Sequence, residues 1–238
     1  PSAKLTQRLS VPALLADDGP AQVGVDEHRE IAQVFTSGSI QFFDLASGQP
    51  IPLDMPPQVK GRRITAMASG GGNAPRLAVG TADGEVLFLK VGTTTEFTDQ
   101  GERRKRPHIR AGQPIPLTKS PIVRLAYRAN DHGNVVALLS KDGRLLVVRI
   151  AADDVAGQHP IITELPQPRG AVTALALDAL LENLYVGTAD GQVVHVALSE
   201  TESPEMRAAY AVAASSTAVT TLGFLSGDRS LVVMSEDG

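Results

Sequence analysis

The 238-residue chain has no cysteine, no tryptophan, and only three tyrosines and six phenylalanines. Without cysteine there are no disulfides and no thiolate nucleophile, and the redox compartment stays open. With aromatics at 4%, the core has to be made of valine, leucine, isoleucine and alanine. That composition suits many thin strands better than a helical bundle. No uninterrupted apolar run of about 18 residues occurs, so no helical membrane span is expected. The G-x-S-x-G, P-loop and H-E-x-x-H signatures are all missing. The expectation is a chain with no catalytic residue, no cofactor and no metal centre. A net charge of −4 gives no general attraction to nucleic acid, and no nucleic-acid partner is expected.

What is present is repetition. The hexapeptide VGTADG stands at Val79–Gly84 and again at Val186–Gly191. Looser copies are LLSKDG at Leu138–Gly143, VVMSEDG at Val232–Gly238, and the shorter VFTSGS at Val34–Ser39. The turn glycines Gly38, Gly84, Gly143, Gly191 and Gly238 are separated by 46, 59, 48 and 47 residues. Three nearly equal steps and one long one describe a repeat with a single insertion. Each turn lies between apolar runs such as NLYVGT and QVVHVAL. Asp-Gly in that setting predicts a hairpin with a type I′ turn, in which both residues take positive φ. A third alternating segment precedes each hairpin: QVGVD, ITAMAS, IVRLAYR, VTALALD and VTTLGFL. A weaker fourth run follows in QPIPLDM, QPIPLTK and IITELPQ.

Four strands in about 45 residues resemble a β-propeller blade of the WD-repeat type. The resemblance is strongest in IQFFDLASGQPI (Ile40–Ile51), where Phe43-Asp44 takes the Trp-Asp place. No tryptophan and no blade-opening Gly-His is present, so the hydrogen-bond network of true WD repeats is not carried over. The expected fold is all-β, a WD-repeat-like or quinoprotein-like β-propeller, one domain over residues 1–238. About five blades form a partial ring, with Lys4–Ala16 available as an outer strand. Because the chain stops in mid-hairpin at Gly238, it is expected to be excised from a larger membrane protein. Open blade edges predict an edge-mediated homodimer of such a piece.

Candidate chemistry is sparse. Each turn offers one carboxylate (Asp83, Asp142, Asp190, Asp237), whereas a calcium loop needs several oxygens in one short stretch; turn chemistry is the expected role. His28, His108, His132, His159 and His195 are scattered, with His195 facing the channel or a neighbouring blade. SGGGNA (Ser69–Ala74) reads as a polar loop, with an anion-binding backbone nest as the alternative. The long step holds TTTEFTDQGERRKRPHIRAG (Thr93–Gly112), carrying Arg103, Arg104, Lys105, Arg106, His108 and Arg110. A solvated hairpin or loop is the plain expectation. The functional one is contact with an acidic partner or with anionic lipid head groups.

At this insertion the order VGTADGEVLFLKV, TTEF, RPHIR, GQPIPL resembles the extracytoplasmic propeller-like domain inserted in some long bacterial phosphate ABC transporter permeases. That resemblance implies a non-catalytic docking or regulatory platform in phosphate uptake, on the periplasmic side of the inner membrane. Its partners would be other transporter subunits or the substrate-binding protein. An intracellular WD-like scaffold and a propeller enzyme of the lactonase or quinoprotein type are the alternatives.

Overall fold

The computed structural model describes residues 22–26, 31–36, 39–70, 76–151, 159–198, 205–211, 217–225 and 230–237. Among them the regular structure is antiparallel β, with no helix. Blade 1 is β1 (Gln22–Asp26), β2 (Ile31–Thr36), β3 (Ser39–Asp44) and β4 (Pro50–Ile51), paired in chain order. Blade 2 is β5 (Ile64–Ser69), β6 (Arg76–Thr81), β7 (Glu85–Phe97) and β8 (Arg103–Ala111), with β9 (Ile115–Pro116) also paired to β7. Blade 3 is β10 (Ile122–Ala129), β11 (Gly133–Ser140), β12 (Leu145–Ala151) and β13 (Ile161–Glu164). Blade 4 is β14 (Val172–Leu177), β15 (Asn183–Thr188), β16 (Gln192–Ala197) and β17 (Glu205–Ala211). β18 (Val219–Phe224) and β19 (Leu231–Ser235) form a two-stranded sheet. Lys4–Ala16, His28, Gly38 and Gly238 lie outside the described residues.

The blades stack face to face, each sharing an apolar layer with the next. Ile31 and Phe42 of blade 1 pack with Val79 and Leu87 of blade 2. Ala78 and Val86 pack with Ile122 and Val136 of blade 3. Ala137 and Val147 pack with Leu184 and Val194 of blade 4, and Val193 with Val219 and Leu222 of the two-stranded sheet. Middle strands covered on both faces lose the polar half of the usual alternation. Hence GNVVALLS of β11 is buried at every position. The first strands β10, β14 and β18 neighbour one another from blade to blade, as β5 and β10 do. Radially stacked four-stranded sheets of this kind are a β-propeller.

Most positions of VGTADG have a structural reason. Val79 and Val186 are core residues. At Gly80 and Gly187 a side chain would lie 2.6 Å from Ile122 Cβ and from Val219 Cγ1, so glycine lets the next blade's first strand close in. The Thr81 and Thr188 hydroxyls are fully buried and accept the Glu85 and Gln192 N–H groups at 3.1 Å. The Ala82 N–H donates to the Arg63 carbonyl (2.9 Å) and Ala189 to Ala171 (2.8 Å). Lys141 to Pro121 (2.8 Å) and Glu236 to Ala218 (3.0 Å) repeat that bond in the other two described copies.

The turn type differs from the sequence expectation. Gly84, Gly143 and Gly191 have φ of 78°, 90° and 78°, while their aspartates do not have positive φ. Gly84 N–H donates to Thr81 O (3.2 Å), Gly143 to Ser140 O (2.9 Å) and Gly191 to Thr188 O (3.2 Å). These are three-residue connections, a type I turn followed by a left-handed glycine, and not type I′. In two of these three turns the hydroxyl two residues earlier engages the aspartate. Thr188 Oγ1 donates to Asp190 Oδ1 (2.5 Å), and Ser140 Oγ to Asp142 Oδ1.

Candidate functional site

The insertion is a β-ribbon, not a loop. β6 pairs β7 only as far as Lys90, opposite Arg76. β7 then continues to Phe97 with β8 alone as partner, in a register running from Leu89↔Ala111 to Phe97↔Arg103. Seven residues, Val91 to Phe97, therefore extend past the end of β6, about 23 Å at ~3.3 Å per residue. The ribbon leaves from the end of the blade opposite its Asp-Gly turn. Its tip reuses the blade's turn chemistry in TDQGE. The Thr98 hydroxyl accepts the Glu102 N–H (3.1 Å), Gly101 N–H donates to Thr98 O (2.8 Å), and Gly101 has φ of 79°. The fourth strand is thus split: β9 pairs the start of β7 (Glu85↔Pro116) and β8 the rest.

The root of the ribbon is anchored. Val91 and Ile109 are buried in the layer that joins blades 1 and 2, beside Ile51, Leu53 and Met55. His108 lies flat across the ribbon: a side chain on Gly92, its register partner, would sit 2.5 Å from His108 Nε2. The basic residues beyond the root divide. Arg106 is held by two acids, with Nη1 3.3 Å from Glu96 Oε1 and Nη2 3.6 Å from Asp54 Oδ2. Arg103 and Arg104 are exposed, and their side chains form no ion pair or hydrogen bond among the described residues. Lys105 stands opposite Thr95 and Arg110 opposite Lys90. Since Arg76 is opposite Lys90 on the other side, three cations line up across β6, β7 and β8. Like charges directly opposite repel, so the root adds to the positive field.

Between the ribbon and blade 1 runs a groove of about 520 Å³. Its ribbon wall carries Arg103, Arg104, Arg106 and Glu96; its blade wall carries Asp44, Ser47, Gln49, Pro50, Ile51 and Pro52. Asp44, at the Trp-Asp place, is occupied in its own turn, accepting the Ser47 N–H (2.7 Å) and hydroxyl (2.9 Å). Sequence reasoning found the arginines but not the blade 1 wall. No local signal links Pro50–Pro52 to a segment some fifty residues later.

The other sequence candidates resolve differently. Among the described residues no three His, Asp or Glu side chains gather as a metal site, and the turn carboxylates Asp142 and Asp190 serve their own turns. Of the two orientations open to His195, the structure shows the neighbouring sheet. Its ring stacks on Tyr185 (4.8 Å), which meets Phe224 of β18 edge-on at 5.6 Å. His132 and His159 both line a groove of about 690 Å³ between blades 3 and 4, with Arg149 and Glu182. Arg149 is used structurally there, donating to Leu198 O (2.5 Å). Residues 71–75 of the SGGGNA segment lie outside the described residues. Two polar centres were missed in sequence. Buried Asp178 accepts the Glu182 and Asn183 N–H groups (2.9 and 3.0 Å) and the Asn183 amide (2.7 Å). Tyr127 donates to Asn134 Oδ1 (2.8 Å) inside the blade 2–blade 3 layer, where burial raises its pKa to about 12.

No protein-family model matches the chain, and no curated protein matches it in sequence. Solved propellers do match in three dimensions. The β-propeller domain of Cps50 (Swd1) from Myceliophteria thermophila superposes with a TM-score of 0.58 at 16% identity, over 93% of this chain and 65% of that one. A chain of a Mitotic Checkpoint Complex gives 0.55 at 14%, over 98% and 68%. The WD40 domain of SCAP from fission yeast gives 0.52 at 14%, over 87% and 49%. The chain therefore spans about two thirds or less of these propellers' own length. Likeness at such identity concerns architecture: the chain has the fold of a WD-repeat-like β-propeller.

Proposed function

We propose that the chain is a non-catalytic docking platform, and that it belongs to the extracytoplasmic part of a phosphate ABC transporter permease. The docking reading is carried by one observation: a ribbon projects from the propeller and presents exposed Arg103 and Arg104 side chains with no ion pair among the described residues. Rigid blades that display variable connections suit recognition, and one of the similar propellers is part of a Mitotic Checkpoint Complex. The transporter assignment is supported by the sequence resemblance through TTEF, RPHIR and GQPIPL. Its partners are then transporter subunits or the substrate-binding protein.

The test uses the natural full-length protein in its own host. A photo-reactive residue at Thr95 is expected to cross-link to a transporter subunit or the substrate-binding protein. The variant Arg103→Ser, Arg104→Ser, Lys105→Ser, Arg106→Ser is expected to lose that product with an unchanged melting temperature. Recovery of the protein in the cytosol, cross-linked to unrelated proteins, refutes the transporter reading and favours the intracellular scaffold.

A further inference from the structure

Building on the docking reading, we propose that the groove between the ribbon and blade 1 receives an extended acidic segment of a partner protein, whose carboxylates are read by Arg103 and Arg104. The volume, about 520 Å³, lies within the ~300–1,000 Å³ of small binding clefts. The charged groups in and beside it separate into spent and unspent. Asp44 is occupied by Ser47, and Glu96 by Arg106. Asp44 keeps its charge while hydrogen-bonded, so Arg103, Arg104 and Arg106 set against Asp44 and Glu96 leave the lining net positive by one within a chain of net charge −4. Residues 90–112 hold six lysines and arginines against three acids.

The blade wall sets the shape of the occupant. Pro50 and Pro52 have no N–H, and β4 is two residues long, so this edge cannot extend a hydrogen-bonded ladder. Selection has to come from side chains: carboxylates toward the arginines, small or apolar groups toward Pro50, Ile51 and Pro52. In an extended chain alternate residues share one side at ~6.6 Å spacing. Acidic residues at alternate positions thus face the ribbon together. A single small anion gains little from exposed arginines, which are worth ~1 kcal/mol or less each; several linked carboxylates add up. A flat anionic bilayer fits less well. Asp99 and Glu102 are exposed at the tip ahead of Arg103, and Asp54 is 97% exposed beside Arg106. A membrane meets these acids first, whereas a chain passes behind them.

The experiment is a fluorescence-anisotropy titration of a labelled octapeptide of alternating Glu and Ser at low salt. Arg103→Ser/Arg104→Ser is expected to weaken binding about tenfold. Lys119→Ser/Lys141→Ser removes the same charge from two exposed sites outside the groove and is expected to change binding less than twofold. Arg103→Lys/Arg104→Lys, which keeps the charge but not the fork, is expected to fall between them. Equal losses in the two serine pairs, or no peptide binding, overturn the proposal. So does binding to phosphatidylglycerol vesicles that Phe97→Ser abolishes. If the peptide fails while the arginine-dependent cross-link in cells persists, the acidic-segment assignment falls and docking stands. If both fail, the platform reading falls as well.

Discussion

Alanine at Gly84 and at Gly143 places one substitution in the same turn with different surroundings. Both glycines are left-handed, with φ of 78° and 90°. An L-residue there costs about 1–2 kcal/mol, partly offset by the less flexible unfolded chain, about 0.4–1 kcal/mol. At Gly143 a new Cβ meets nothing within 4 Å, so the net loss is about 1 kcal/mol. At Gly84 the Cβ presses on the Thr118 carbonyl and lies 2.8 Å from Ser120 O. That segment is tied down, because the Leu117 and Thr118 N–H groups both donate to Gly84 O at 3.1 Å. Overpacking against backbone adds about 1–3 kcal/mol, for a total near 3 kcal/mol. In a protein of this size the melting temperature is expected to fall by about 3 °C for Gly143→Ala and about 10 °C for Gly84→Ala. Calorimetry or circular dichroism melts measure both. Equal shifts would refute the claim that the turn is clamped against the linker between blades.

Tyr127 and Asp178 offer two further tests. The raised Tyr127 pKa means that the folded state holds the phenolic proton more tightly than the unfolded chain, whose value is 10.0. Its contribution is complete below pH 10 and is lost as pH rises toward 12, at about 1.4 kcal/mol per pH unit. Urea titrations at pH 9 and 11.5 should show the wild type losing about 2 kcal/mol more than Tyr127→Phe; parallel losses would contradict burial of the hydroxyl. At neutral pH Tyr127→Phe is expected to cost about 1 kcal/mol, since Arg76 still reaches Asn134 Oδ1 (3.4 Å). Asp178→Ala leaves two backbone N–H groups without their acceptor and is expected to cost about 3 kcal/mol. Asp178→Asn keeps an acceptor and is expected to cost about 1 kcal/mol; a thermal melt in which the two variants coincide would show that the carboxylate is not organising the turn.

How much was legible depended on how local the physics was. Hairpins centred on T-x-D-G or S-x-D-G were readable because hydroxyl, carboxylate and glycine all act within five residues. The turn subtype was not, since Asp-Gly serves both type I′ and type I with a left-handed glycine. β17, EMRAAYA, gave no strand signal, having no β-branched residue; it is a strand because β16 supplies a partner. RRKRPHIR likewise becomes β8 because β7 runs on beside it. Arg103 and Arg104 could be named from sequence, but the groove could not. It exists only where the ribbon meets Pro50–Pro52 and Arg106 meets Asp54 across half a hundred residues.

One continuous strand, β7, runs from the buried middle of blade 2 to the solvent-exposed end of the ribbon. A tug applied at Phe97 along that strand is therefore carried lengthwise into two parallel rows of backbone bonds, to β6 on one side and to β8 and β9 on the other. Bonds loaded side by side give way together and not one after another as in a zipper. The propeller can thus take mechanical strain from whatever grips its arm without unravelling the sheet that bears it.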